Sequence, residues 1–291
     1  MKQQKSSVTI SRKKRPSNRF AFRKSLGQNF LRDSSVVAAI VEGALINSQD
    51  IVVEIGPGDG ALTILLAERA QAVVALEIDE RLTPILLAKF NSRPNVKILQ
   101  GDIMKKQISD IIEEAGVCLA PGQRVKVLGN LPYYITTPLL MHLLEVSNRQ
   151  KISTLTVMVQ KEVADRIAAG PGSRVFGALS VAVQYHCRVE HLLDVSAEAF
   201  VPKPKVASAV LRLTILEQPS VKVSDEAAFF HTVRTAFGQR RKTLQNALAG
   251  IRGHGRESLT EAFAAAAIDP GRRAETLSLQ EFANLTEAII R

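Results

Sequence analysis

Only two of the 291 residues are cysteine, Cys118 and Cys187, and they stand far apart without CxxC spacing. Such scarcity rules out a disulfide framework and points to buried free thiols in a reducing compartment. Although 46% of the chain is hydrophobic, no apolar stretch reaches the ~18 residues of a membrane span. No fixed-period repeat or low-complexity tract appears, which sets aside solenoid and fibrous classes. The first 24 residues carry no acid and no apolar h-region, so a secretory signal is not expected. What remains is a globular chain long enough for one large domain and a smaller one.

What the chain has in excess is positive charge, +10 overall and unevenly placed. Nine Lys or Arg fall within residues 1–24, and Arg240, Arg241 and Lys242 follow Arg234 in the last quarter. Basic charge at both ends suggests a polyanion, since each neutralised phosphate releases counterions. The tail has the composition of an organellar transit peptide as well. A disordered arm that contacts RNA is the preferred reading, in a protein of the cytoplasm.

Asp33 is placed to cap a helix in which Val36, Val37, Ile40, Val41, Ala44 and Leu45 recur at helical spacing. Five apolar runs then alternate with amphipathic stretches: IVVEI (51–55), AVVALEI (72–78), VKIL (96–99), VKVL (125–128) and STLTVMVQ (153–160). Strands apolar on both faces that alternate with helices imply a mostly parallel sheet covered on both sides. The runs at 187–195 and 208–216 have only a proline-punctuated loop between them, too short for a crossover helix. They are expected to pair antiparallel. Beyond Glu217-Gln218-Pro219 the pattern is helical only. The expected organisation is therefore a tail over 1–24, an α/β domain over 25–217 and a helical, RNA-binding domain over 218–291.

The segment VVEIGPGDGALT (52–63) reads as strand, Gly-rich turn and helix start. A dinucleotide fingerprint has the form GxGxxG, with its helix N-terminus open to pyrophosphate. Here the spacing is GxGxG through Gly56 and Gly58, with Glu54 before it and Asp59 inside it. Acids there repel pyrophosphate but suit S-adenosylmethionine, which carries a sulfonium and an amino group and no phosphate. Glu77 ends the second strand, where a carboxylate can accept from ribose hydroxyls. Asp102 follows the third, where it can accept from an adenine amine. All three strand-end acids are expected at the sheet edge where ligands of open α/β folds sit.

The fourth strand delivers Asn130-Leu131-Pro132-Tyr133 to the same edge, with Gly129 expected to let the chain turn. The exocyclic amine of adenine is a poor nucleophile, because its lone pair is delocalised into the ring. Two acceptors on its hydrogens draw it towards a tetrahedral arrangement. The Asn130 side-chain carbonyl and the Leu131 backbone carbonyl can serve, Pro132 restricts Leu131 to an extended conformation, and Tyr133 offers a face for a flipped base. Tyr134 has no assigned part.

NLPY resembles the (N/D)PP(Y/F) motif of adenine-specific amino-methyltransferases. GQNFL (27–31), EIGPGDGALT, NLPYYITTPLL, VQKEVADRIAA (159–169), FVPKPKVASAV (200–210) and FGQRRKTLQNAL (237–248) occur in that order. Together they resemble the ribosomal RNA adenine dimethyltransferase family, over about residues 24–248. The resemblance implies a Rossmann-like class I fold with a seven-stranded sheet and a small C-terminal helical domain. It implies an enzyme that uses S-adenosylmethionine, without a metal, on two adjacent adenosines of small-subunit (16S) ribosomal RNA, and a monomer. It assigns cofactor contacts to Asn29, Leu31, Gly56, Glu77, Asp102 and Asn130. Phe200 would be an exposed aromatic that stacks on the target base opposite Tyr133, and Arg240, Arg241 and Lys242 would face RNA. Relatives that methylate large-subunit RNA, and others that mainly bind nucleic acid, are the alternatives. The basic tail and the long segment between Asp102 and Asn130 depart from the family core.

Overall fold

The computed structural model describes residues 28–291, so the expected basic tail lies outside the described residues. The chain opens with strand β1 (Phe30–Leu31) and helix α1 (Ser34–Gly43), followed by β2 (Ile51–Ile55), α2 (Ala61–Arg69), β3 (Ala72–Glu77) and α3 (Thr83–Phe90). It continues through β4 (Val96–Gln100), α4 (Ile108–Glu114), β5 (Val125–Asn130), α5 (Thr136–Leu144) and α6 (Val146–Arg149). Next come β6 (Ile152–Gln160), α7 (Lys161–Ala168), α8 (Ala178–His186), β7 (Cys187–Val195), β8 (Phe200–Val201) and β9 (Ser208–Ile215). Four further helices, α9 (Glu226–Gly238), α10 (Leu244–Ala247), α11 (Arg256–Ala265) and α12 (Leu279–Ile290), close the chain.

Seven strands form one sheet in the order β4-β3-β2-β5-β6-β9-β7. The first five pair in parallel, and β9 runs antiparallel to both β6 and β7. The short connection between residues 195 and 208 thus does make an antiparallel pair. Alternation along each strand sends side chains to two cores. Val53, Ile55, Val74 and Val127 meet Ile108 and Ile111 of α4, Leu139 and Leu143 of α5, and Ile167 of α7. Val52, Val73, Leu128 and Met158 meet Ile40 and Val41 of α1, Leu66 of α2, and Leu86 and Phe90 of α3. Asp33 caps α1 as its position predicts, with Oδ1 accepting from Ser35 N at 2.9 Å and Val36 N at 3.3 Å. Strand order reverses between β2 and β5, so the cleft at their C-terminal ends is the topological switch point of the sheet.

Gly129 is not the turn that its position suggested. It lies inside β5 opposite Ile55, and a Cβ there would stand 2.8 Å from the Ile55 carbonyl oxygen. Its lack of a side chain lets β5 approach β2 closely, just ahead of the functional loop. The cysteines also divide: Cys187 is buried, but Cys118 is exposed.

A third core joins Phe229 and Val233 of α9, Phe263 of α11 and Phe282 of α12 to Phe176, Val181 and Tyr185. The Tyr185 and Phe229 rings stack with centroids 5.1 Å apart. Helix α8 therefore serves the sheet and the helical region alike. No helix among the described residues is long and apolar enough to cross a membrane.

Candidate active site

The turn after β2 begins with Gly56, Gly58 and Gly60 at φ of +66°, +61° and +80°, a region costly for residues with a Cβ. A Cβ on Gly56 would meet nothing within 4 Å and would project into open space. That space is a hollow of about 750 Å³, part of it open to solvent. Gln28, Asn29, Leu31, Glu54, Gly56, Gly58, Asp59, Glu77, Asn130, Leu131, Pro132 and Tyr133 all face it. A second hollow of about 430 Å³ adjoins it at Gly56, Ile78 and Pro132, and is lined by Asp102, Ile103 and Tyr134. The strand-end residues singled out in the sequence are thus brought to one edge. Asp102 stands one compartment away from Glu77.

Three carboxylates are buried here, each for a different local reason. Glu77 accepts from Gly58 N through Oε2 at 3.1 Å and from Asp79 N through Oε1 at 2.8 Å. Burial raises its pKa, and those backbone bonds partly offset the shift. Each oxygen has a second lone pair for a ligand hydroxyl. Glu54, 1% exposed, accepts from Thr63 Oγ1 at 2.6 Å. Desolvation pushes it up to about 7, so a cation in the hollow would favour its charged form. Asp79 is fully buried, yet a two-pronged contact from Arg81 (Nε at 2.9 Å, Nη2 at 2.6 Å) holds its pKa down. Its Oδ2 also accepts from Gln28 Nε2 at 2.7 Å. Asp102 caps the following turn by accepting from Met104 N at 3.0 Å.

Strand β1 roofs the larger hollow, held by antiparallel pairing of Leu31 with Phe200 and by an Arg32–Asp59 ion pair of 2.5 Å. The Asn130 amide nitrogen donates to the Asn29 carbonyl at 2.9 Å. With that end spent, Asn130 Oδ1 is the end left to accept. Leu131 donates its N–H to Met158 O at 3.0 Å, and among the described residues nothing donates to its carbonyl. Two uncommitted acceptors therefore sit on consecutive residues. Tyr133 is half-buried beside them, with its hydroxyl 2.6 Å from Ser208 Oγ.

One expectation needs correction, and one cation is set apart from its neighbours. Phe200 is 2% exposed and packs in the core with Phe30, Val195 and Ala199, away from both hollows. Pairing of β8 with β1 turns its ring inward and leaves Val201 outside, so only Tyr133 of the two brings a ring to the hollow. The Arg240 guanidinium donates to the carbonyls of Arg174 at 2.6 Å and Phe176 at 3.1 Å. It ties α9 to the segment before α8. Arg241 and Lys242 are exposed, and among the described residues neither makes an ion pair. Tyr134, unassigned from sequence, is 56% exposed and walls the smaller hollow. Ile78 and Gln28, given no part from sequence, also line the larger hollow, and only the fold brings them to the edge.

An open α/β sheet with this strand order, an acid-lined glycine cradle and, among the described residues, no basic side chain facing the larger hollow defines a Rossmann-like S-adenosylmethionine-dependent methyltransferase. The donor set fits that cofactor: hydroxyl acceptors at Glu77, a counter-charge at Glu54, and a mostly apolar hollow beside Asp102. A profile described as "Ribosomal RNA adenine dimethylase" matches residues 19–291, and the chain belongs to that family. Methyl transfer from S-adenosylmethionine comes with the membership. The chain is 47% identical over 273 residues to "Ribosomal RNA small subunit methyltransferase A" of Alkaliphilus oremlandii (strain OhILAs), covering 94% of this chain and 93% of that one. The protein of the same description in Shouchella clausii (strain KSM-K16) is 48% identical, over 93% and 90%. Among solved structures, 23S rRNA methyltransferase ErmE is 28% identical with a TM-score of 0.68, over 90% of this chain and 100% of that one. A dimethyladenosine transferase from Plasmodium falciparum shares the fold at 24% identity and a TM-score of 0.73, over 88% and 95%. No group of His, Cys, Asp or Glu able to hold a metal occurs among the described residues.

Proposed function

We propose that this enzyme dimethylates the exocyclic amines of two adjacent adenosines near the 3′ end of small-subunit (16S) ribosomal RNA, late in assembly of the subunit. The observation that carries the chemistry is the pair of open acceptors, Asn130 Oδ1 and the Leu131 carbonyl, beside the Tyr133 ring. Small-subunit specificity is supported by relatives of that description at 47–48% identity over nearly the whole chain, against 28% for the large-subunit enzyme. The reading includes a monomer acting in the cytoplasm, with Arg241 and Lys242 on the RNA side of a helical domain that spans residues 218–291.

S-adenosylmethionine supplies an electrophilic methyl carbon when bound. Asn29, Leu31, Gly56, Gly58, Glu77, Asp102 and Asn130 are the residues that would hold it. Tyr133 stacks a base flipped out of the RNA. Asn130 Oδ1 and the Leu131 carbonyl accept the two amine hydrogens and localise the nitrogen lone pair. Pro132 fixes the aim of the Leu131 carbonyl. The amine becomes positively charged on attack and sheds a proton afterwards to solvent, so no strong base is required. Alignment and exclusion of water supply most of the rate. The second transfer starts from an amine with one hydrogen, so one acceptor suffices for it.

Methyl incorporation into purified small and large subunits tests the substrate, and label found only in large-subunit RNA would overturn it. Asn130→Ala tests the site. It should lower turnover by roughly 100- to 1,000-fold, the scale of losing a preorganised polar group, while subunit binding persists. Retained turnover would refute the role of Asn130.

A further inference from the structure

We propose that Ser208 is a positioning residue for methyl transfer: its buried hydroxyl fixes the Tyr133 ring in the orientation that receives the base. The inference rests on the reading of Tyr133 as the base platform. Ser208 opens β9 and is fully buried. Its backbone is gripped from both sides, opposite Gln160 of β6 and Val195 of β7. The residues that follow, Ala209, Val210 and Leu211, are apolar and equally buried. A hydroxyl at the head of such a strand is a liability unless it has a partner. Among the described residues its hydrogen-bond partner is the Tyr133 hydroxyl, at 2.6 Å.

The loop that carries Tyr133 does not need this bond to hold its shape. Leu131 N donates to Met158 O at 3.0 Å on one side of the tyrosine. On the other, Ile135 N and Thr136 Oγ1 both donate to the Pro132 carbonyl, at 3.2 Å and 3.1 Å. With the backbone held at both flanks, the freedom that remains is rotation of the Tyr133 side chain. The Ser208 contact removes it at the far end of the ring, where leverage on orientation is greatest. A platform fixed before the base arrives spares the ordering cost at the moment of binding. Burial raises the Tyr133 pKa, so the phenol keeps its proton and the pair stays a neutral hydrogen bond. The stacking face is thereby set by the register of β9 on β6, strands that line neither hollow.

Single-turnover methyl transfer to small subunits lacking the modification provides the test, with cofactor Kd and Tm measured in parallel. Ser208→Ala and Tyr133→Phe should each slow transfer roughly 3- to 10-fold, the scale of one net hydrogen bond, at unchanged cofactor Kd. The double variant should be no slower than either single one, because both remove the same contact. Wild-type transfer by Ser208→Ala, with or without a lower Tm, would sink the inference, as would losses that multiply in the double variant. Tyr133→Ala separates the two levels. If it also transfers at the wild-type rate, the reading of Tyr133 fails. If it collapses while Ser208→Ala is unaffected, only the role of Ser208 falls.

Discussion

The sheet edge and the helical region handle charge in opposite ways. At the edge, Glu54, Glu77 and Asp79 are at most 4% exposed, and the structure gives each carboxylate fixed donors. In the helical region, Arg241 and Lys242 stand in solvent without ion-pair partners among the described residues. The difference follows from what each is read to meet. A small cofactor is recognised by a few desolvated groups whose positions are settled before it arrives. A polyanion is recognised by solvated cations that keep their mobility and act through counterion release.

Glu54 offers the largest handle on this contrast. Desolvation holds its folded-state pKa at about 7, above the value of about 4.3 of a free glutamate, so between those values the folded enzyme binds more protons than the unfolded chain. Stability of the cofactor-free enzyme should therefore fall as pH rises through that window, by up to about 3 kcal/mol. Glu54→Gln should flatten that part of the profile, raise Tm at pH 8 and weaken cofactor binding there. Thermal melts across pH and calorimetric titration with S-adenosylmethionine would check it. A variant with the same pH slope as wild type would mean that Glu54 is not the desolvated acid.

The helical side should respond to salt instead. The pair Arg241→Ala and Lys242→Ala should weaken binding to the small subunit by roughly tenfold and reduce the salt slope by about 1 to 2, with cofactor affinity intact. A loss independent of ionic strength would place these side chains outside the RNA interface.

Arg240 should break ranks with its two neighbours, and with the smallest effect. Arg240→Ala removes two hydrogen bonds to Arg174 and Phe176. It should cost about 1 kcal/mol, read as a Tm lower by a few degrees, while the salt slope of subunit binding stays as in wild type. A changed slope at unchanged Tm would return Arg240 to the RNA surface.

The cofactor side was legible because its signals are local. GxGxG, Glu77 one strand later and NLPY each occupy a strand end, and a parallel sheet brings consecutive strand ends to one edge whatever its finer details. Arg240, Arg241 and Lys242, by contrast, look alike in sequence, and only the packing of α9 against the segment before α8 separates a tie from two free cations. Phe200 was misjudged for a similar reason. Two residues of pairing with β1 decide which of Phe200 and Val201 points inward, and a strand that short leaves no periodic trace.

The sequence by itself therefore determined the alternation of strands and helices, the cofactor type and the strand ends that meet at the cleft, because periodicity and strand-end chemistry are carried by neighbouring residues. Tertiary structure alone decided that Gly129 is needed for close strand approach, that Asn130 turns its amide nitrogen to Asn29, and that Ser208 meets Tyr133. Those contacts join residues up to 101 positions apart, and they exist only once sheet register has fixed which side chains face each other.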